Sequence, residues 1–216
     1  MIGINSMEGV FITEEFRALS KYYNNYDQNI RRYIPVDMNT RNECAGHLIK
    51  QHYTNGTAFI SNITNMIRFG SDDQFVRPIL KDASLVSKYV TTYLYHFSYE
   101  GRLGKPNREM KGVDHGEELE YLFHNKDHGE ITKQDNQIRK KLVRLWSNFA
   151  KYSNPTPNKE VLLDNKIWLP INPNSDDVDY LDIGAKLVPS LNPHQKDVDF
   201  WDNLYKTYGN PPFDTY

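Results

Sequence analysis

The sequence predicts an α/β fold, and three observations carry that expectation. Val90 to Tyr99, Val-Thr-Thr-Tyr-Leu-Tyr-His-Phe-Ser-Tyr, is dense in β-branched and aromatic residues and ends at Glu100-Gly101, the pattern of a strand. Met1 to Ile4 reads as the end of a second apolar strand. Helical patterns lie between and after them, the longest following Thr132, where Ile138, Leu142, Leu145, Trp146 and Phe149 form an apolar stripe opposite Lys and Arg.

Taken in order, the strand end at Met1 to Ile4 gives way to a short polar turn, then Glu8 and Gly9. From Glu8 to Phe16 the spacing of Phe11, Ile12 and Phe16 puts all three on one helix face, for which plain core packing is the simpler reading. Residues 17 to 41, rich in Tyr, Asn, Asp and Arg, read as a connecting stretch. Helices are predicted over Asn42 to Tyr53 and Ala58 to Phe69, separated by the turn signal Thr54-Asn55-Gly56-Thr57. A third, Asp72 to Lys88, contains Pro78, which breaks or kinks it. In the strand over 90 to 99, Tyr93, Tyr95, Phe97 and Tyr99 share one aromatic face, and His96 on the other face reads as a residue turned to a neighbouring strand. Gly101 to Gly112 is a polar loop. Thr132 with Asp135 three places on resembles a capping box, and Pro155 and Pro157 end the helix that follows. Near the end of the chain, Phe200, Leu204 and Tyr208 suit a helix docked by one face.

Two stretches carry chemistry. The first, Ile2-Gly3-Ile4-Asn5-Ser6-Met7-Glu8-Gly9, places one carboxylate just after a strand; the second, Gly112-Val113-Asp114-His115-Gly116-Glu117-Glu118-Leu119, places one histidine in a loop after a later strand. Acid then histidine is the order that closes a Ser–acid–His triad in α/β hydrolases. A polar loop can carry a histidine over the carboxyl ends of a sheet, where α/β folds hold their sites. Glu14, Glu15, Asp72 and Asp73 compete as acids but read as solvated charges; only Glu8 sits between a strand end and a glycine.

These stretches resemble the type-B carboxylesterase family, the group that includes the cholinesterases and the insect esterases. The resemblance continues through Leu142 to Pro155, which looks like that family's late helix, and through Trp168-Leu169-Pro170 and Tyr180-Leu181-Asp182-Ile183-Gly184, which look like its closing strand pair. It implies an α/β-hydrolase fold, C-terminal portion only: an incomplete central sheet, a helical excursion between acid and histidine, and a C-terminal strand pair, over residues 1–216 as one part-domain. It also implies Glu8 as triad acid, His115 as general base, Glu118 as a carboxylate supporting the site from behind, and Phe11 and Ile12 as a substrate wall. For Glu117 and Glu120 a solvated acidic turn is an equal reading. The residues contain no Gly-x-Ser-x-Gly elbow and no His-Gly-Gly oxyanion loop. The N-terminal half of the same domain is therefore expected as partner, with a small carboxylic ester as substrate and no cofactor. The rival expectation is a non-catalytic interaction protein or an inactive truncated copy of the same family, since that family also contains adhesion members.

Composition limits the other classes. With 38% hydrophobic and 13% aromatic residues the chain is globular in class, and no stretch is apolar enough to span a membrane. A formal net charge of -2 from 26 basic and 28 acidic residues, with no run of one sign, gives no reason to expect nucleic acid. The single cysteine, Cys44, cannot close an internal disulfide, which leans toward a reducing, cytoplasmic setting. Asn55-Gly56-Thr57 and Asn62-Ile63-Thr64 match the glycosylation pattern, a triplet frequent by chance. His124 and His128 have the i, i+4 spacing of metal ligands, but Asn125, Asp127 and Gly129 read as a loop there, and no metal site is expected.

Overall fold

The structure, a computed structural model, describes residues 1–11, 27–39, 43–105, 108, 110–123 and 131–213. The chain divides into two compact units, Met1–Glu8 with Asp82–Pro193, and Gly9–Lys81 with His194–Tyr216.

The first unit is built on a four-stranded sheet in the order β1 (Ile2–Asn5), β2 (Leu94–Phe97), β3 (Asp179–Ile183), β4 (Leu187–Leu191). β1, β2 and β3 run parallel and β4 runs antiparallel to β3. Parallel strands need a crossover, and the one between β1 and β2 contains residues 9 to 81 of the second unit. Gly3 pairs in register with Tyr95, whose ring lies where a Cβ at position 3 would sit, so a glycine is required there.

The strand expected over 90 to 99 is regular only over Leu94–Phe97, with one further bond at each end, Ile2 N to the Tyr93 carbonyl and Ser98 N to the Ile183 carbonyl. Its ends are taken by other bonds: Thr92 Oγ1 donates to the Val90 carbonyl, and Gly101 N donates back to the Tyr99 carbonyl. The aromatic face is as expected. Tyr93, Phe97 and Tyr99 are buried against Ile138, Leu142 and Leu145 of the long helix, and Tyr95 packs edge-on to Trp146 at 5.1 Å. Each such buried side chain contributes roughly 1.5 to 3 kcal/mol.

That helix runs Lys133–Tyr152, and it starts with a complete capping box. Asp135 N donates to Thr132 Oγ1 and Thr132 N donates to Asp135 Oδ2, each at 3.0 Å, which satisfies two of the donors a helix start leaves over. It stops at Ser153, whose φ of 52° is left-handed, two residues before the first proline.

The expected closing strand pair is present, with one member corrected. Trp168-Leu169-Pro170 forms no strand; Trp168 is buried, its main-chain N–H donates to Thr156 Oγ1 at 2.9 Å, and Ile171 N donates to the Thr92 carbonyl. The partner of β3 is β4, which carries Pro189 opposite Leu181. A proline survives there because β4 is an edge strand, with no ladder on its other side among the described residues.

The second unit is helical. We number its helices with the rest of the chain: α1 (Cys44–Thr54), α2 (Ile63–Ser71), α3 (Arg77–Ser87, in which the boundary between units falls), then α4 (Leu119–Leu122) and α5 (Lys133–Tyr152) of the first unit, and α6 (Gln195–Tyr208). α1 ends where Asn55 turns left-handed at φ 52°, as the Asn-Gly signal predicts. The helix expected over 58 to 69 is divided, because Asn62 adopts extended backbone and accepts from Thr64 N to cap α2. The third expected helix opens as a π turn over Asp72–Val76 before α3. Pro78 has no N–H for the carbonyl four residues earlier, and the wider turn accommodates that loss without ending the helix.

The aromatic residues Tyr33, Tyr53, Phe59, Phe69, Trp201 and Tyr205 dominate this unit's core. On α6 the buried residues are Trp201, Leu204 and Tyr205, with Phe200 and Tyr208 only partly covered. The docked face is thus rotated from the one that Phe200, Leu204 and Tyr208 predict. Cys44 is exposed and forms no disulfide. Among the described residues no helix is long and apolar enough to cross a membrane.

Candidate active site

β1 ends at Asn5, the chain turns through Ser6 and Met7, and Glu8 opens a short 3-10 helix over Glu8–Phe11. The loop bearing His115 is laced to this turn. Met7 N donates to the Val113 carbonyl at 2.9 Å, and Val113 N donates to Ser6 Oγ at 3.0 Å. Gly112, at φ 100°, permits that approach, since a Cβ there would collide with Met7.

Glu8 is buried, and its two carboxylate oxygens have different tasks. Oε1 accepts the Asn5 main-chain N–H at 2.6 Å; Oε2 lies 2.8 Å from His115 Nδ1 across 107 positions of sequence. The two side chains are thus within hydrogen-bond reach. The histidine side chain is 55% exposed and the glutamate 4%, so the pair presents an open ring over a covered acid. Burial raises the pKa of Glu8 from the ordinary carboxylate range; the Asn5 N–H and the His115 ring oppose that rise, and the nearby Glu118 carboxylate adds to it. The pair stands just beyond the carboxyl ends of the parallel strands β1 and β2, where open α/β sheets hold their sites.

Glu118 stands behind the pair. Its Oε2 accepts Asn5 Nδ2 at 2.6 Å, and its Oε1 receives a long 3.4 Å bond from Tyr95 OH. Burial first, then the Glu118 charge, pushes the Tyr95 phenol well above its usual range, which keeps it a donor.

The acidic turn after His115 is not solvated throughout. Glu117 is buried; it accepts Asp114 N at 3.0 Å and is gripped by Arg108, which also donates to the carbonyls of Gly101 and Gly112. Lys105 pairs with Asp114, whose Oδ1 accepts His115 N at 2.8 Å. Arg108 and Lys105 are the supports that sequence reasoning missed, because nothing in a polar loop says which cation folds back. Glu120 is half-buried.

Phe11 is exposed, with its ring edge-on to Phe75 at 6.0 Å, so the plain core reading does not hold for it. Ile12, Glu14, Glu15 and Phe16 lie outside the described residues, as do His124 and His128. His96 pairs with Asp182 on the adjacent strand, Nδ1 to Oδ1 at 2.8 Å, as a strand residue turned to its neighbour should.

Asp72 and Asp73 are a correction. Asp72 is buried, and its Oδ2 accepts Tyr53 OH at 2.8 Å; Asp73 pairs with Arg77. Burial and then the Asp197 charge push Asp72 up to about 7. Among the described residues Asp72, His194 and Asp197 come within metal-ligand spacing. Asp197 is already held by His52 at 2.6 Å and by the Arg68 guanidinium at 3.2 Å, so the chain's own side chains occupy it.

The carboxylesterase family profile matches residues 1–201. The chain is 26% identical to bile salt-activated lipase of Rattus norvegicus over 215 residues, 93% of this chain and 34% of that protein. It is 30% identical to neuroligin-3 of Mus musculus over 162 residues, 64% of this chain and 19% of that protein. The crystal structure of juvenile hormone esterase from Manduca sexta, with OTFP covalently attached, superposes with a TM-score of 0.74 at 22% identity, covering 95% of this chain and 40% of that one. That likeness concerns the fold: the partial mixed sheet and its helices are those of an α/β hydrolase. The chain spans about a third of the length of the rat lipase it matches.

Proposed function

Since the chain belongs to the carboxylesterase family, we propose that it contributes the acid and the base of a serine carboxylic ester hydrolase, Glu8 as acid and His115 as general base. The observation that carries this reading is the 2.8 Å pairing of a buried carboxylate with an exposed imidazole beyond parallel strand ends. With its Nδ1–H donated to Glu8, the neutral ring keeps its Nε2 lone pair to accept the nucleophile's proton and return it to the leaving alcohol. Glu8 fixes the tautomer and stabilises the imidazolium as it forms.

The nucleophile and the oxyanion donors would come from the preceding half of the same domain, because these 216 residues contain neither Gly-x-Ser-x-Gly nor His-Gly-Gly. The substrate class is a small carboxylic ester, with Phe11 and Ile12 offered as wall residues and Glu118 as support behind the pair. An acyl-enzyme on that serine completes the route.

The test is p-nitrophenyl ester turnover by the 216-residue chain and by the complete esterase, each with and without a serine-directed phosphorylating inhibitor. The short chain is expected to be inactive, since one oxyanion donor alone is worth roughly 2.7 to 4 kcal/mol. Inhibitor-sensitive turnover by the short chain would place the nucleophile within these residues and overturn the reading.

A further inference from the structure

Asn5 has three hydrogen bonds on two sides of the acid–base pair. Its main-chain N–H donates to Glu8 Oε1 at 2.6 Å; its Nδ2 donates both to the Asp114 carbonyl at 2.7 Å and to Glu118 Oε2 at 2.6 Å. One residue at the end of β1 thereby touches the acid directly and the main chain immediately before the base, 109 positions away. Asn5 is 2% exposed, and its Oδ1 is buried with no hydrogen-bond partner among the described residues.

That unpaired oxygen tells against a merely space-filling amide. A buried acceptor without a donor is a standing cost, and rotating the amide would relieve nothing. Both partners of Nδ2 are acceptors, a carbonyl and a carboxylate, so only the nitrogen can face them. An aspartate, with the same shape, would set a carboxylate against both. The residue type is fixed by two acceptors that have to be held together, and one of them belongs to the His115 loop.

We infer that Asn5 is a positioning residue for the Glu8–His115 pair: its amide ties the His115 loop and Glu118 to the strand end whose N–H holds Glu8. This rests on the reading of Glu8 and His115 as acid and base only for its consequence in catalysis; the geometric claim is separate. Which ring nitrogen of a histidine carries the proton is set by the bond the other atoms make. Loosening the loop therefore releases the Nδ1–H tautomer that Glu8 selects.

The test reads that tautomer without turnover. Ring 15N shifts of His115 in the 216-residue chain, recorded where the ring is neutral, are expected to show the Nδ1–H form, lost in Asn5→Asp and Asn5→Ala and partly restored when Asn5→Asp is combined with Glu118→Gln, which returns a donor to one contact. Amide spectra of the rest of the chain report folding. Should Asn5→Asp fail to fold, Asn5→Ser carries the test, because one hydroxyl donor can serve only one of the two acceptors. An unchanged Nδ1–H tautomer in the folded variants overturns the inference. In the complete esterase the same variants are expected to lower kcat with little change in KM. If His115→Ala leaves that esterase active, the catalytic reading fails while the tautomer result stands; if His115 is essential and the tautomer ignores Asn5, only the positioning role is lost.

Discussion

Each unit sets a histidine against a carboxylate at nearly the same distance, His115 to Glu8 at 2.8 Å in the first and His52 to Asp197 at 2.6 Å in the second. What surrounds them differs. The His115 ring is open to solvent, with its acid covered by the Asn5 N–H below. His52 is 12% exposed, stacked on Phe200 with ring centroids 3.9 Å apart and planes 8° from parallel, and its acid is shared with Arg68. Burial opposes ionisation in both acids. In Glu8 that effect wins and the pKa rises; in Asp197 the bond from His52 and the Arg68 charge outweigh it and the pKa falls. A third pair, His96 with Asp182, has the same 2.8 Å spacing within the sheet. Distance alone does not set these pairs apart; an uncovered ring over a covered acid distinguishes the first.

The largest effect that could break this comparison is on activity. In the complete esterase, His115→Ala is expected to lower kcat by about 10⁴-fold or more, and Glu8→Gln by about 10³ to 10⁴, because the members of a triad act as one unit. His52→Ala should leave kcat within about threefold of the parent, as a ring 12% exposed and stacked on Phe200 is not presented to a substrate. Ester turnover by the three variants decides it, and a His52→Ala loss comparable with that of His115→Ala would remove the distinction drawn between the two pairs.

The second effect is on stability and follows from Asp72, a buried acid of the helical unit. Its folded pKa of about 7 lies above the ordinary value of 3.8, so the folded state holds a proton that the unfolded chain releases. Folding is then favoured below the unfolded pKa, and the advantage is lost as pH rises through about 7, a change of up to about 4 kcal/mol. The raised Asp73 acts in the same direction, whereas Asp197, with its lowered pKa, loses its contribution only as pH falls below the ordinary carboxylate range. Urea unfolding followed by the amide NMR signals of residues 43 to 81 should show this unit more stable at pH 5 than at pH 8, and Asp72→Asn should flatten the slope. Equal midpoints at the two pH values in the parent chain would contradict the assignment.

In stability the two histidines should exchange ranks. His52→Ala removes a stacked ring and leaves Asp197 with one partner fewer, a cost of about 1 to 3 kcal/mol. His115→Ala removes an exposed ring and leaves Glu8 its Asn5 N–H, which should cost under about 1 kcal/mol. Thermal unfolding of the two variants, measured side by side, checks the reversal.

The comparison also shows which features the sequence made legible. Glu8 stood out because a strand end and a glycine frame it locally, His115 because its loop follows a strand and a candidate acid in the order of the resembled family, and the aromatic period of 93, 95, 97 and 99 told which face of the strand the core would take. Long-range closure was not legible. Asp72 sits among charged helix residues in sequence, yet it is buried by Tyr53, which in turn accepts from Trp201 Nε1 148 positions away. Glu117 reads as one of three surface acids until Arg108 folds over it. Leu187–Leu191 buries only Leu187 and carries a proline, so it has neither the alternation nor the propensity of a strand; an edge position against β3 makes it one.

The smallest predicted effect is at a cap that belongs to neither pair. Thr132→Ala removes the hydroxyl that accepts Asp135 N and donates to Asp135 Oδ2, but the carboxylate keeps the Thr132 main-chain N–H, Tyr99 OH at 3.1 Å and Arg102 N at 3.1 Å. Only one helix-start donor is left for water, a loss of about 1 kcal/mol. The pKa of Asp135, held low by these donors against the effect of burial, should rise slightly without leaving the acid range. Because α5 forms its apolar contacts through Ile138, Leu142 and Leu145 further along, the sheet and the His115 loop it supports should be unmoved. A modest drop in unfolding free energy, with the His115 tautomer and the pH slope of the helical unit both unchanged, is the expected result. A loss above about 3 kcal/mol, or a changed tautomer, would mean that the start of this helix and the acid–base pair are coupled, and that the histidine of the first unit depends on more than the strand end beneath it.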